Sequence, residues 1–205
     1  MLYREIFTSC WNFTIGLGLN TAEASEIEMG KVEVDPLIKD LKTNHSDWTI
    51  TLVTSDEVAK IKEELKNSQN SSVLRGPAPP LTNVYIDKVI SQVGTSNQKI
   101  EDIGLQQTSH AVSGTVTVAV MEVGYGTENQ WLDDERITYQ NRDYKLNEAA
   151  IDFNNDKIID AFYHTVTFNS DLKISSGTSA LYKFRSTSQN YPWNTIERTI
   201  NIPHL

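Results

Sequence analysis

The sequence predicts a mainly β protein, an antiparallel immunoglobulin-like β-sandwich over residues 81–205 preceded by a small α+β region over residues 1–66. Three observations predict it. Apolar and polar residues alternate in segment after segment beyond Leu81, as half-buried strands require. Turn-forming residues separate most of these segments, and no helical period of useful length intervenes. Some seven or eight strands over ~120 residues is the density of a Greek-key sandwich.

From Trp11 to Asn20 the alternation is unbroken, with Trp11, Phe13, Ile15, Leu17 and Leu19 on one face, and a second strand pattern follows near Ile27 to Val34. Asp35-Pro36 then places a capping carboxylate and a proline at the start of a short helix through Leu41. Trp48 to Val53 alternates again. Thr54 stands three residues before Glu57, the spacing of a capping box, and Val58, Ile61 and Leu65 line one face of the helix that follows. Lys60, Lys62, Glu63, Glu64 and Lys66 read as its solvated face. The Ser, Asn, Gly and Pro content of residues 67–80 marks a linker or long loop, and the domain boundary is expected there.

Beyond the linker come strands at Val84–Ile90, Val112–Val120, Val123–Tyr125 running toward Trp131, Ile137–Tyr139, Ala149–Phe153, Ile158–Phe168, Ala180–Arg185 and Thr195–Ile202. A chain of 205 residues buries a core without staples, and the lone Cys10 has no intrachain partner for a disulfide. Cys10 is best read as a small buried hydrophobe.

The formal net charge of −9 argues against partners that bind through counterion release, a local basic patch aside. Residues 1–80 carry 8 Lys/Arg against 12 Asp/Glu, and residues 81–205 carry 10 against 15, so neither half is basic. Nucleic acid and anionic membrane are not expected partners. The short, interrupted apolar runs provide no membrane span and no signal-peptide core, so the chain reads as soluble, either cytoplasmic or a mature secreted form.

Asp152, Asn154, Asp156 and Asp160 fall at positions 1, 3, 5 and 9 of a loop, the oxygen spacing of calcium loops, and calcium is the one cofactor the sequence raises. Lys157 and Tyr163 stand where such a loop carries Gly and Glu, and the competing reading is a plain turn at Asn154-Asn155-Asp156-Lys157. Asp133, Asp134 and Glu135 are adjacent acids that read as surface. His164 alternates with Phe162 and Val166 and reads as a core histidine bonded to backbone. Neither a nucleophile elbow nor a phosphate-binding glycine loop occurs, so no catalytic residue is assigned and enzyme activity is not expected.

Trp131 and Trp193 sit in amide- and carboxylate-rich segments, Thr127–Asp133 and Gln189–Asn194. A flat apolar ring with hydrogen-bonding neighbours suits a sugar ring, although an aromatic capping the end of the core looks the same in sequence. In order, Val84-Tyr85-Ile86, Ser113 to Val118, Val123-Gly124-Tyr125 leading to Trp131, Asp160-Ala161-Phe162, and Tyr182-Lys183-Phe184 leading to Tyr191-Pro192-Trp193-Asn194 resemble starch- and glycogen-binding modules of family 21. The resemblance covers residues 82–202 and implies a β-sandwich that binds glucans through exposed aromatics. The function expected is therefore a non-enzymatic binding module presenting Trp131, Tyr191, Trp193 and Tyr125 to a carbohydrate. The alternatives are a structural or assembly subunit, pairing through Trp11–Leu19 as a homo-oligomer or with a protein partner, and a toxin or adhesin component.

Overall fold

The computed structural model describes residues 35–68, 79–91, 98–99 and 107–205. The strands expected at Trp11–Asn20 and Ile27–Val34, Cys10, and residues 69–78 of the expected linker lie outside the described residues.

Helix α1 (Pro36–Asn44) begins as the sequence predicts: the Asp35 side chain accepts from the Leu37 N–H, and Pro36 occupies the first turn. Its other carboxylate oxygen accepts from Thr165 Oγ1 (2.7 Å) and Asn147 Nδ2 (3.0 Å), so the cap also ties the helix to the sheet beneath it. After strand β1 (Thr49–Val53), helix α2 (Ser55–Ser68) starts with the capping box: Thr54 N–H donates to Glu57 Oε2 (2.7 Å) and Glu57 N–H to Thr54 Oγ1 (3.3 Å).

The remaining strands are β2 (Asn83–Ser91), β3 (Gln98–Lys99), β4 (Thr115–Val123), β5 (Gly126–Leu132), β6 (Glu135–Ile137), β7 (Lys145–Asp152), β8 (Ala161–Asn169), β9 (Ser179–Ser188) and β10 (Thr195–Pro203). A short helix α3 (Ser170–Lys173) follows β8. Two antiparallel sheets result, one in the order β1-β7-β8-β4-β2-β3 and the other β10-β9-β5-β6.

The core follows from the two-residue period. Val116, Val118 and Val120 of β4 and Val166 and Phe168 of β8 pack against Tyr182, Phe184, Ile200 and Ile202 of the second sheet. The intervening residues Ala119, Met121 and Tyr163 face the other way and are covered by Leu37, Ile38 and Leu41 of α1. The six-stranded sheet is thus buried on both faces along β4 and β8, which is why those strands read as nearly continuous apolar runs. The mainly β layout of two antiparallel sheets is the one the sequence predicts. The boundary expected at residues 67–80 does not divide it: β1 joins the larger sheet beside β7, and Val34–Leu205 form one compact unit. Helix α2 packs on β7, where its Val58 meets Tyr125, Ala150 and Phe162.

Candidate functional site

The four aromatics expected to form one ligand face are separated by the fold. Tyr125 is corrected outright. It is 1% exposed, its ring meets Phe162 edge-on at 5.3 Å, and burial pushes its hydroxyl well above the ordinary phenol range. A ring enclosed in this way offers no surface to a ligand.

Trp131 lies on the outer face of the smaller sheet, half-buried beneath cations. Lys183 Nζ stands 4.6 Å from its ring centroid and the Arg185 guanidinium 5.8 Å away. Register explains this: Lys183 on β9 and Arg136 on β6 are the direct cross-strand partners of Trp131 on β5. Arg185 pairs with Glu197 at 2.8 Å, and Arg136 donates to the side-chain oxygen of Asn129.

Tyr191 and Trp193 are 82% and 61% exposed at the tip of the β9–β10 hairpin. Hydrogen bonds fix the tip locally. Ser188 Oγ donates to the Asn190 carbonyl (2.8 Å), Trp193 N–H donates to the same carbonyl (2.8 Å), and Ser188 N–H donates to the Asn194 carbonyl (2.8 Å). The base is tied to the body by Gln189 N–H on the Tyr125 carbonyl (3.0 Å) and Asn194 Nδ2 on the Leu81 carbonyl (3.3 Å). The Tyr191-Pro192 bond is cis, and Trp193 has a φ of 59°. The exposed pair is therefore held on a hydrogen-bonded tip rather than on a free loop. From Ser188 at its base, five residues of β9 lead back to Lys183, the neighbour of Trp131, a span of about 17 Å. Trp131 and Trp193 therefore do not share one sugar-sized platform.

The calcium spacing resolves into a turn. Asp152 Oδ1 accepts from the N–H groups of Asn154 (3.1 Å) and Asp156 (3.3 Å), and Oδ2 accepts from Lys157 (2.8 Å). Asn154 Oδ1 accepts from Asp156 N–H (3.0 Å), and Asp160 Oδ2 from Phe153 N–H (2.8 Å). The loop's oxygens point at its own backbone donors, which holds the Asp152 carboxyl below its ordinary range. Asn155 and Lys157 take the left-handed conformations of the turn, with φ of 60° and 69°. Among the described residues no group of three or more His, Cys, Asp or Glu side chains is placed to hold a metal ion. The hydrogen bonds at Asp152, Asn154, Asp156 and Asp160 are those of the competing turn reading. Asp133 likewise braces its turn, accepting from Leu181 N–H at 2.7 Å.

A buried charged network was not anticipated. His164, 1% exposed, lies between two carboxylates, with Nδ1 3.0 Å from Glu148 Oε1 and Nε2 2.9 Å from Glu122 Oε2. Glu122 Oε1 accepts from Ser186 Oγ across the sandwich (2.6 Å), and Glu148 Oε1 from the Tyr139 hydroxyl (2.6 Å). Lys62, read as part of a solvated helix face, is instead 6% exposed. Its ammonium lies 3.5 Å from Glu122, 2.6 Å from Glu128 and 4.7 Å from the centre of the Phe162 ring.

Burial opposes every charge in this cluster, and the partners overcome it. The two carboxylates raise His164 to about 10, and Lys62 and His164 lower Glu122 to about 2. His164 and Tyr139 help hold Glu148 below its ordinary range, while Glu122 and Glu128 push Lys62 up. At neutral pH the His164 imidazolium and the Lys62 ammonium thus lie among the Glu122 and Glu148 carboxylates, with Glu148 Oε2 buried and without a hydrogen-bond partner among the described residues. His164 is thus a core histidine as expected, but it is bonded to carboxylates rather than to backbone.

A cavity of about 140 Å³ opens beside this network. Glu128 and Tyr139, which contact the network at two points, both line it, together with Asn129, Gln130, Arg136 and Gln140. It is smaller than the pockets that enclose drug-sized ligands, and it suits a single polar group.

Residues 76–202 match the family described as "Domain of unknown function (DUF4879)". No curated protein and no solved structure matches the chain. The matched span includes every member of the buried network except Lys62.

Proposed function

We propose that this chain, which belongs to the family described as "Domain of unknown function (DUF4879)", is a non-enzymatic binding module whose β9–β10 hairpin presents Tyr191 and Trp193 to a carbohydrate. The observation that carries this reading is the pair of large aromatic rings left in solvent on a hydrogen-bonded tip. Large exposed aromatics bring apolar contact area to an interface, and a pre-ordered loop loses less entropy on binding than a free one. Gln189 and Asn194 spend their amide donors on Gly126, Thr127 and Leu81, which anchors the tip and leaves the two rings as its contact surface.

We assign the strongly perturbed ionisable groups a structural role. Glu122, Glu148 and His164 are at most 3% exposed, and their contacts hold the sandwich together rather than face a substrate.

The experiment is a glycan array on the full chain, followed by titration of any hit. Trp193→Ala and the double variant Tyr191→Ala/Trp193→Ala should lose binding by about tenfold or more, as hot-spot aromatics do. Their thermal midpoints should stay near that of the wild type, because both side chains are exposed. An array without a hit, or full binding by the double variant, would refute the reading.

A further inference from the structure

We infer that the outer face of the smaller sheet, where Lys183, Trp131 and Arg136 form one cross-strand row beside the 140 Å³ cavity, is a subsite for an anionic residue of a glycan. This deepens the carbohydrate reading and rests on it. The site is separate from the Tyr191–Trp193 tip.

Three features carry it. The first is charge. On a chain of net charge −9, Lys183 and Arg136 flank Trp131 on adjacent strands, which places their backbones about 10 Å apart across β5. Arg185 lies two residues further along β9 on the same face, but Glu197 neutralises it. Among the described residues neither Lys183 nor Arg136 has a carboxylate partner: Lys183 stands over the indole, and Arg136 bonds to the neutral amide of Asn129. Asp133, in the turn between β5 and β6, is engaged by Leu181 N–H, and Glu135 is drawn to Lys173 (3.1 Å) and the Tyr144 hydroxyl (2.8 Å).

The second feature is what Trp131 does there. With Lys183 over its ring, the indole is a support for cations rather than a bare stacking surface.

The third is the cavity. Arg136 lines it along with Asn129, Gln130, Tyr139 and Gln140, and a space of this size takes a single polar group such as the acidic substituent of a sugar. The acid in its wall, Glu128, is already paired with Lys62. A guanidinium beside amide donors and acceptors recognises a carboxylate or sulfate attached to a polar ring, the shared chemistry of uronate-bearing and sulfated polysaccharides.

The test uses the full chain in affinity electrophoresis against three immobilised polysaccharides: a neutral glucan, a polyuronate and a sulfated polysaccharide. Wild type is compared with Arg136→Gln, Lys183→Gln and Trp193→Ala. At least one acidic polymer should retard the wild type more strongly than the neutral glucan. Arg136→Gln and Lys183→Gln should each weaken that binding by about tenfold while leaving neutral-glucan binding unchanged. Retardation by the acidic polymer should fall as salt rises.

Preference for the polyuronate assigns a carboxylate, and preference for the sulfated polymer assigns a sulfate. If the neutral glucan binds in a Trp193-dependent way and the acidic polymers bind no better, the subsite is refuted while the hairpin reading stands. If none of the three binds, both fall. Acidic-polymer binding undiminished in both charge variants refutes the subsite as well.

Discussion

Replacing His164 tests whether the buried carboxylate–imidazolium–carboxylate bridge stabilises the sandwich. In the folded chain Glu122 and Glu148 raise the imidazole from 6.5 to about 10 against the effect of burial. A group whose folded pKa lies above its unfolded value stabilises the fold fully below the unfolded pKa, and that stability is lost as pH rises through the folded pKa. The window is therefore pH 6.5 to about 10, with a slope of about 1.4 kcal/mol per pH unit.

Between pH 6.5 and 9 the wild type should lose about 3 kcal/mol, a large part of the 5–15 kcal/mol (approximately) that a domain has in total. On the acid side the carboxylates act in the opposite sense. Glu122 has a folded pKa of about 2 against an ordinary 4.5, so its contribution is present above 4.5 and disappears as pH falls through 2. Maximum stability is thus expected between about pH 4.5 and 6.5.

The assay is urea unfolding at half-unit steps from pH 5.5 to 9 for wild type and His164→Gln. The variant should be less stable at pH 6 by about 3–5 kcal/mol, because two buried carboxylates lose their cation. It should also lack the alkaline slope. A flat wild-type profile between pH 6.5 and 9, or an unchanged slope in His164→Gln, would show that the bridge is not the charged one argued here. The wild-type slope is read independently of whether the variant folds.

Lys62→Met should destabilise by about 3–5 kcal/mol despite the similar stem, because Glu128 and Glu122 are left without the ammonium; urea midpoints at pH 7 check this, and a near-neutral result would mean that α2 docks by apolar contact alone. Gly126→Ala should destabilise by about 1–3 kcal/mol, because a Cβ there would lie 1.8 Å from Ser186 Oγ and 2.5 Å from Glu122 Oε1. At Gly177, with φ of +73° but open space around it, alanine meets only backbone strain, and its thermal midpoint should fall less. Asp152→Ala should lower the thermal midpoint by removing the acceptor of the Asn154 and Lys157 N–H groups and one of two acceptors of the Asp156 N–H, while calcium or a chelator leaves the wild-type midpoint unchanged; a rise with calcium would show that loop to be an ion site.

The strands and the helix starts were legible because their signals are local. Alternation places Val116, Val118 and Val120 on one face whatever lies opposite, and the Asp35-Pro36 and Thr54–Glu57 caps are made within a few residues of themselves. The domain boundary was misplaced because composition at residues 67–80 reports loop character and says nothing of where β1 pairs. That pairing is with β7, about a hundred residues away. The calcium spacing is ambiguous for a related reason. Asx side chains that satisfy backbone donors in a tight turn recur at the same short intervals as side chains that ligate an ion.

The site divides along the same line. The exposure of Tyr191 and Trp193 could be read from sequence because a hairpin tip is exposed by its own turn. The buried network left a partial trace, since Glu122, Glu148 and His164 each fall in phase with inward-facing neighbours, Val120, Ala150 and Val166. An acid in phase with core valines is costly unless a partner meets it, so the alternation alone implies partners somewhere in the fold. Naming them requires the register that sets Val120 and Glu148 opposite His164 from its two sides. Lys62 left no trace, because a lysine in a run of charges is indistinguishable from a solvated one until its helix is placed against Glu122 and Glu128. The row of Lys183, Trp131 and Arg136 depends on register in the same way, which moves Trp131 from a presumed bare sugar platform to the support of a cationic face.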